Sequence, residues 1–171
     1  MDYPTYDPTE VQFMRDELTA VGFTEVATIE EVDEYIANKK DETVLVVINS
    51  VCGCSAGCAR PGISAALQNS KIPDHVITLL AGQEKTAINH IRNNYLADYN
   101  PSSPNIILFK NAKVLKFFER IHIQELTAEM VENQVIDIFN EHCEKAGPSI
   151  PKEDYDKLSF TIACGSSITQ L

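Results

Sequence analysis

Three of the five cysteines fall within seven positions, in Asn49-Ser50-Val51-Cys52-Gly53-Cys54-Ser55-Ala56-Gly57-Cys58-Ala59-Arg60-Pro61-Gly62. The run before them, Val44 to Ile48, has the length and β-branched content of a buried strand, and the residues from Ser55 onward read as a helix. Thiols at a strand-to-helix turn meet unpaired backbone N–H groups and the positive end of the helix dipole, both of which favour thiolate over thiol. A thiolate attacks disulfides or binds metal. Packing explains this cluster poorly, because Gly53, Ser55 and Gly57 interleave the sulfurs with residues that fill little space.

The spacing assigns unequal parts. Cys52 ends the strand and should be the more exposed sulfur. Cys54 can bridge to it only through a tight turn, for which Gly53 supplies backbone freedom. A strained bridge of that kind is readily reduced, so a Cys52–Cys54 disulfide should be more oxidising than that of a C-x-x-C site. Cys58 lies one helical turn beyond Cys54 and reads either as an auxiliary resolving thiol or as a core filler, with filler preferred. Cys143 reads as packing, and Cys164, in Ala163-Cys164-Gly165, is uncommitted. Arg60 is the one cation beside the cysteines, available to pair with substrate carboxylates, to support the thiolate, or to form an ordinary ion pair. His75, His90, His122 and His142 show no spacing to the sulfurs that marks a base.

The elements that must hold this turn can be read from pattern. Asp7-Pro8-Thr9-Glu10 is a helix start, with Val11, Met14, Leu18 and Val21 on one face and Gly22 at its end. Phe23 to Ala27 is a short strand, and Thr28-Ile29-Glu30-Glu31 caps a helix reaching about Lys40. After the cysteine turn a helix runs from about Ser55 to Asn69, with Pro61 expected to kink it. Val76 to Leu80 is a strand and Glu84 to Leu96 a helix, which makes a βαβ unit with parallel strands. Asn100-Pro101-Ser102-Ser103-Pro104 is a loop. Ile106 to Phe109 and Val114 to Phe118 then form a hairpin across Asn111-Ala112. The last helix runs from Thr127 to about Cys143, with Met130, Val131, Val135, Ile138 and Phe139 inward. One domain over 1–143 is expected, with 144–171 as a tail that is extended or docked through Tyr155, Leu158, Phe160 and Ile162.

At 171 residues the chain fits one domain with a normal core, and its 44% apolar content argues against disorder. A net charge of −11 disfavours nucleic acid and anionic membrane surfaces as partners. No secretory signal or membrane span is evident, so cysteines kept in a reducing cytoplasm are the expectation.

The order βαβαββα from Thr43 to Cys143 is similar to the thioredoxin fold, an α/β arrangement with a central mixed sheet flanked by helices, here with an N-terminal helix and strand added. In that fold the proline before the third core strand is cis, which implies a cis Ser103–Pro104 bond shaping the site. The C-G-C of Cys52-Gly53-Cys54, with Gly57 and Ala59-Arg60-Pro61, Leu79-Leu80-Ala81-Gly82-Gln83-Glu84-Lys85 and Pro101-Ser102-Ser103-Pro104, resembles the bacilliredoxin family over roughly residues 10–143. That resemblance implies a thiol-disulfide oxidoreductase that removes bacillithiol, a low-molecular-weight thiol, from S-bacillithiolated cytosolic proteins. It implies Cys52 as attacking thiol, Cys54 as resolving thiol, no tightly bound cofactor and an NADPH-dependent disulfide reductase as resetting partner. Cys58 and the tail depart from the family pattern. Two alternatives stand beside it: a metal or iron–sulfur site using Cys52, Cys54, Cys58 and a fourth ligand from Cys143 or Cys164, and a non-catalytic adaptor that borrows the fold.

Overall fold

The computed structural model describes residues 2–160 and 168–171. Its centre is a five-stranded sheet in the order β1-β4-β2-β5-β6. These strands are β1 (Thr24–Glu25), β4 (His75–Leu80), β2 (Thr43–Asn49), β5 (Asn105–Lys110) and β6 (Lys113–Phe118). β1 and β2 run parallel to β4, whereas β5 is antiparallel to β2 and to β6. Every residue of β2 is buried, as its unbroken apolar run requires of a strand covered on both faces.

Helices α1 (Pro8–Thr19), α2 (Ile29–Ile36), α3 (Arg60–Ala66), α4 (Lys85–Asn94), the short α5 (Arg120–Ile123), α6 (Ala128–His142) and α7 (Lys152–Tyr155) complete the chain, with a small β3–β7 pair (Lys71–Ile72, Lys145–Ala146). Two large apolar clusters fill most of the core, beside a small third one of Val11, Met14 and Leu80. One, centred on Leu45, Ile63 and Phe139, lies under α3 and α6; the other, centred on Val46, Ile77 and Ile91, lies under α2 and α4. Alternation along β2 sends successive side chains to the two clusters.

Local chemistry sets the element ends. Asp7 accepts a hydrogen bond from the Thr9 N–H at 2.8 Å and caps α1, and Gly22 closes that segment at φ +104°. Thr28 and Glu31 form a complete capping box. Asn111 and Ala112 both take positive φ, the two-residue turn that suits a twisted hairpin. α3 and α6 approach so closely at Gly62 that a Cβ there would lie 2.7 Å from the Ala128 carbonyl oxygen and from Val131 Cβ.

Four expectations need correction. The first strand is only two residues long, and α2 stops at Ile36. Met130 is 46% exposed rather than inward-facing. The helix expected over Ser55–Asn69 is in two parts, a π-helical turn over Ser55–Ala59, closed by the Arg60 N–H donating to the Ser55 carbonyl, and α3, which ends at Ala66. Pro61 has no N–H for the Gly57 carbonyl, so the ladder slips by one residue before α3 begins. α5 had no counterpart in the sequence pattern.

Residues 145–158 lie against the rest of the fold. β7 pairs with β3, Ser149 Oγ donates to the Val21 carbonyl at 2.7 Å, and Tyr155 and Leu158 pack on the α3/α6 cluster. Ile162 and Cys164 lie outside the described residues. β6 forms one open edge of the sheet, and Lys113 and Lys116 are exposed along it.

Candidate active site

Asn49, at the end of β2, anchors the cysteine turn. Its Nδ2 donates to the Met14 carbonyl, and its Oδ1 accepts from the Ser50 N–H and the Ser55 hydroxyl, both at 2.8 Å. Arg60 lies beneath, fully buried, with Nε 2.6 Å from Glu17 Oε2 and Nη1 reaching the Ser50 carbonyl and Ser55 Oγ. A guanidinium so enclosed cannot meet the carboxylates of an incoming thiol. Arg60 therefore does not bind substrate carboxylates, as its place in the sequence suggested, but braces the turn from below. Re-phasing of the helix by the π turn brings Arg60 to the inward face.

Above this scaffold the Cys52 carbonyl accepts from the N–H groups of Ser55 and Ala56, so Cys52 stands at the helix start. The sulfurs of Cys52 and Cys54 are 2.7 Å apart with both thiols free. Gly53 is exposed, its backbone is not left-handed, and a Cβ placed on it would meet nothing within 4 Å. Its absent side chain therefore leaves the approach to the sulfurs open, rather than permitting an unusual backbone in this dithiol form.

Opposite the cysteines runs the loop before β5. The pairing of Ile48 with Asn105 brings residue 104 beside the end of β2, and the Ser103–Pro104 bond is cis, as the resemblance implies. Gly147–Pro148 is also cis, which the sequence did not announce. Pro104 is buried and Ser103 half-buried.

Electrostatics separate the thiols. Burial opposes ionisation of Cys52, but hydrogen bonds from the Cys54 thiol, Ser50 and the Ser55 backbone, with the charge of Arg120, outweigh it and hold its pKa below the usual thiol value. For Cys54, burial and then the hydrogen bond and charge of Cys52 push the pKa up to about 11. Cys58 is raised by burial and by Cys52. Thiolate is thus concentrated on Cys52, with Cys54 as its proton-bearing neighbour. Alkylation by iodoacetamide should track one ionisation below the ordinary thiol pKa, with the Cys52 adduct dominating at pH 7 and Cys54 joining only in strong alkali. Peptide mapping across a pH series checks this, and preferential modification of Cys54 or Cys58 at neutral pH would contradict it.

Arg120, at the start of α5, escaped the sequence reading. It is exposed, its N–H lies 3.5 Å from Ser102 Oγ on the cis-proline loop, and its charge acts on both active-site sulfurs. It lies 66 positions after Cys54, so no local pattern could have marked it.

Cys143 sits at the other end of the sheet. It is fully buried and hydrogen-bonded to Thr43, which starts β2, whereas Cys52 comes after the end of that seven-residue strand. At ~3.3 Å per residue the two ends are roughly 20 Å apart, so Cys143 cannot share a metal with Cys52. Among the described residues no three His, Cys, Asp or Glu side chains converge as a metal would require, and the metal alternative is disfavoured. Cys164 lies outside the described residues.

A family model described as disulphide isomerase matches residues 6–143. A bacilliredoxin of Halalkalibacterium halodurans is 45% identical over 144 residues, covering 84% of this chain and 99% of that one. The chain belongs to the bacilliredoxin family. A Staphylococcus aureus bacilliredoxin is 39% identical, covering 85% of this chain and 98% of its own, and one from Salinibacter ruber is 36% identical, covering 84% and 83%. A solved structure described as an oxidoreductase with a thioredoxin fold superposes at TM-score 0.50 with 16% identity, covering 68% of this chain and 95% of the other, and supports the fold. This bacilliredoxin is a thiol-disulfide oxidoreductase with a redox-active cysteine pair, not a borrowed fold without chemistry. Its residues after Cys143 lie beyond the family model.

Proposed function

We propose that the protein removes bacillithiol from S-bacillithiolated cytoplasmic proteins. The Cys52 thiolate attacks the bacillithiol sulfur of the mixed disulfide. One S–S bond forms at Cys52 as another breaks, and the client cysteine leaves as thiolate and takes a proton from solvent. The carrying observation is the pairing of a low-pKa, half-exposed Cys52 with a protonated Cys54 at 2.7 Å.

The second step is set up by the first. Once Cys52 is in a mixed disulfide its charge is gone, and with it two of the influences that keep Cys54 protonated, leaving burial. Cys54 then ionises more readily and attacks Cys52, which releases bacillithiol and forms the Cys52–Cys54 disulfide. Two electrons from an NADPH-dependent disulfide reductase, directly or by way of a second bacillithiol, restore the dithiol. Arg60, Gly53, Ser103 and Pro104 shape the site, and Cys58, half-exposed and packed against the α3/α6 cluster, serves as filler rather than as an auxiliary thiol. No helix among the described residues is long and apolar enough to cross a membrane, which accords with clients in the aqueous phase.

The test is to mix the reduced protein with a client carrying bacillithiol on one cysteine. Intact mass should show the client losing one bacillithiol as the protein gains it, and then a species two hydrogens lighter than the reduced protein. A client that keeps its bacillithiol under these conditions would defeat the proposal.

A further inference from the structure

The motif Leu79-Leu80-Ala81-Gly82-Gln83-Glu84-Lys85 is left unexplained by the cysteine chemistry. It ends β4, which lies beside β2, and the Ala81 N–H donates to the Asn49 carbonyl at 3.0 Å. The turn is therefore tied to the residue that anchors the cysteines. Between this turn and α4 lies a cavity of about 180 Å³, bordered by Asp2, Gly82, Lys85, Asn89 and Arg92.

Arg92 gives the cavity its chemistry. Its Nη2 donates to the Ser102 carbonyl at 3.0 Å, which joins the cavity wall to the cis-proline loop. Its Nε is buried with no hydrogen-bond partner among the described residues, and neither Arg92 nor Lys85 has an ion-pair partner there. Asp2, the one acid among these bordering residues, accepts instead from the Thr86 hydroxyl at 3.1 Å. In a chain of 25 acidic and 14 basic side chains, a half-buried guanidinium without a carboxylate is an open valence. Burial also lowers the Arg92 pKa, with no neighbouring acid to offset it.

We propose that this cavity binds the carboxylate end of an acidic low-molecular-weight thiol between Arg92 and Lys85, while the sulfur end lies at the cysteine turn. The inference rests on the exchange reading above and gives that reading a selectivity device. Arg92 supplies planar, directed N–H groups suited to a carboxylate, and Lys85 and the Asn89 amide add a charge and a donor on the same wall.

The test compares rates of Cys52 adduct formation from bacillithiol disulfide, which is acidic, and from hydroxyethyl disulfide, which is neutral, in wild type, Lys85→Gln, Arg92→Gln and Arg92→Lys. The ratio of acidic to neutral rate should fall about tenfold in Arg92→Gln and severalfold in Lys85→Gln, while Arg92→Lys keeps most of it. An unchanged ratio, including one in which both rates fall together because Arg92 merely props the Ser102 loop, overturns the proposal. So does a loss confined to acidic peptide disulfides, since the carboxylate would then be the client's. As a check independent of variants, malate titrated into wild-type protein should shift amide resonances of residues 81–92 and spare those around Cys143; no shift at 81–92 also overturns it. A wild type that consumes hydroxyethyl disulfide but ignores bacillithiol disulfide would instead defeat the bacillithiol reading, while malate still reports on the cavity.

Discussion

Cys52→Ser should lower the rate of thiol exchange by roughly 10³-fold or more, because a hydroxyl stays protonated at neutral pH and cannot displace one sulfur from another. Cys54→Ser should behave differently. Its Cys52 has a hydroxyl donor in place of the neighbouring thiol and keeps Ser50, the Ser55 N–H and Arg120, so the first transfer survives and the bacillithiol adduct accumulates on Cys52. Intact-mass measurements over time separate the two outcomes. A Cys52→Ser protein retaining a tenth of the wild-type rate would move the attacking role to another sulfur, and a Cys54→Ser protein that clears its adduct as fast as wild type, without added thiol, would remove Cys54 from the resolving role.

The second large effect is expected at Glu17, far from any sulfur in sequence. Glu17 is 8% exposed and its Oε2 lies 2.6 Å from Nε of the fully buried Arg60. Glu17→Ala leaves that guanidinium without its carboxylate and should destabilise the fold by about 3–5 kcal/mol. Urea unfolding would read this as a lower midpoint. Glu17→Ala with Arg60→Met, which removes the charge as well, should recover much of the loss. Because Arg60 also holds the Ser50 carbonyl and Ser55 Oγ, the single variant should perturb Cys52 reactivity below its unfolding transition. A change in stability under 1 kcal/mol would mean that the pair is not what secures the turn.

Legibility tracked the range of the interaction. β2, β4 and the β5–β6 hairpin were readable because alternation, apolar runs and the Asn111-Ala112 break are local signals. The caps at Asp7 and Thr28 were readable for the same reason. The cysteine turn could be found from residue type and spacing, and the cis bond at Pro104 from family resemblance alone. Arg60 was placed beside the sulfurs in sequence and ended beneath them in space, since the π turn that rotates it inward depends on hydrogen bonds that spacing does not specify. Arg120 and Glu17 carry no local signal, since only tertiary packing brings one to the cis-proline loop and the other under α3. Met130 fitted a 3.6-residue apolar face, yet the first turn of α6 leaves it exposed.

The hairpin bears on self-association. β6 is an edge strand, and alternate residues along it turn their backbone N–H and C=O to the outer side, a template on which another copy could extend the sheet. Lys113 and Lys116 stand along that margin, and two such margins brought together would set ammonium against ammonium in an otherwise acidic molecule. The lysines thus act as a guard rail that disfavours growth of the sheet from one molecule into the next.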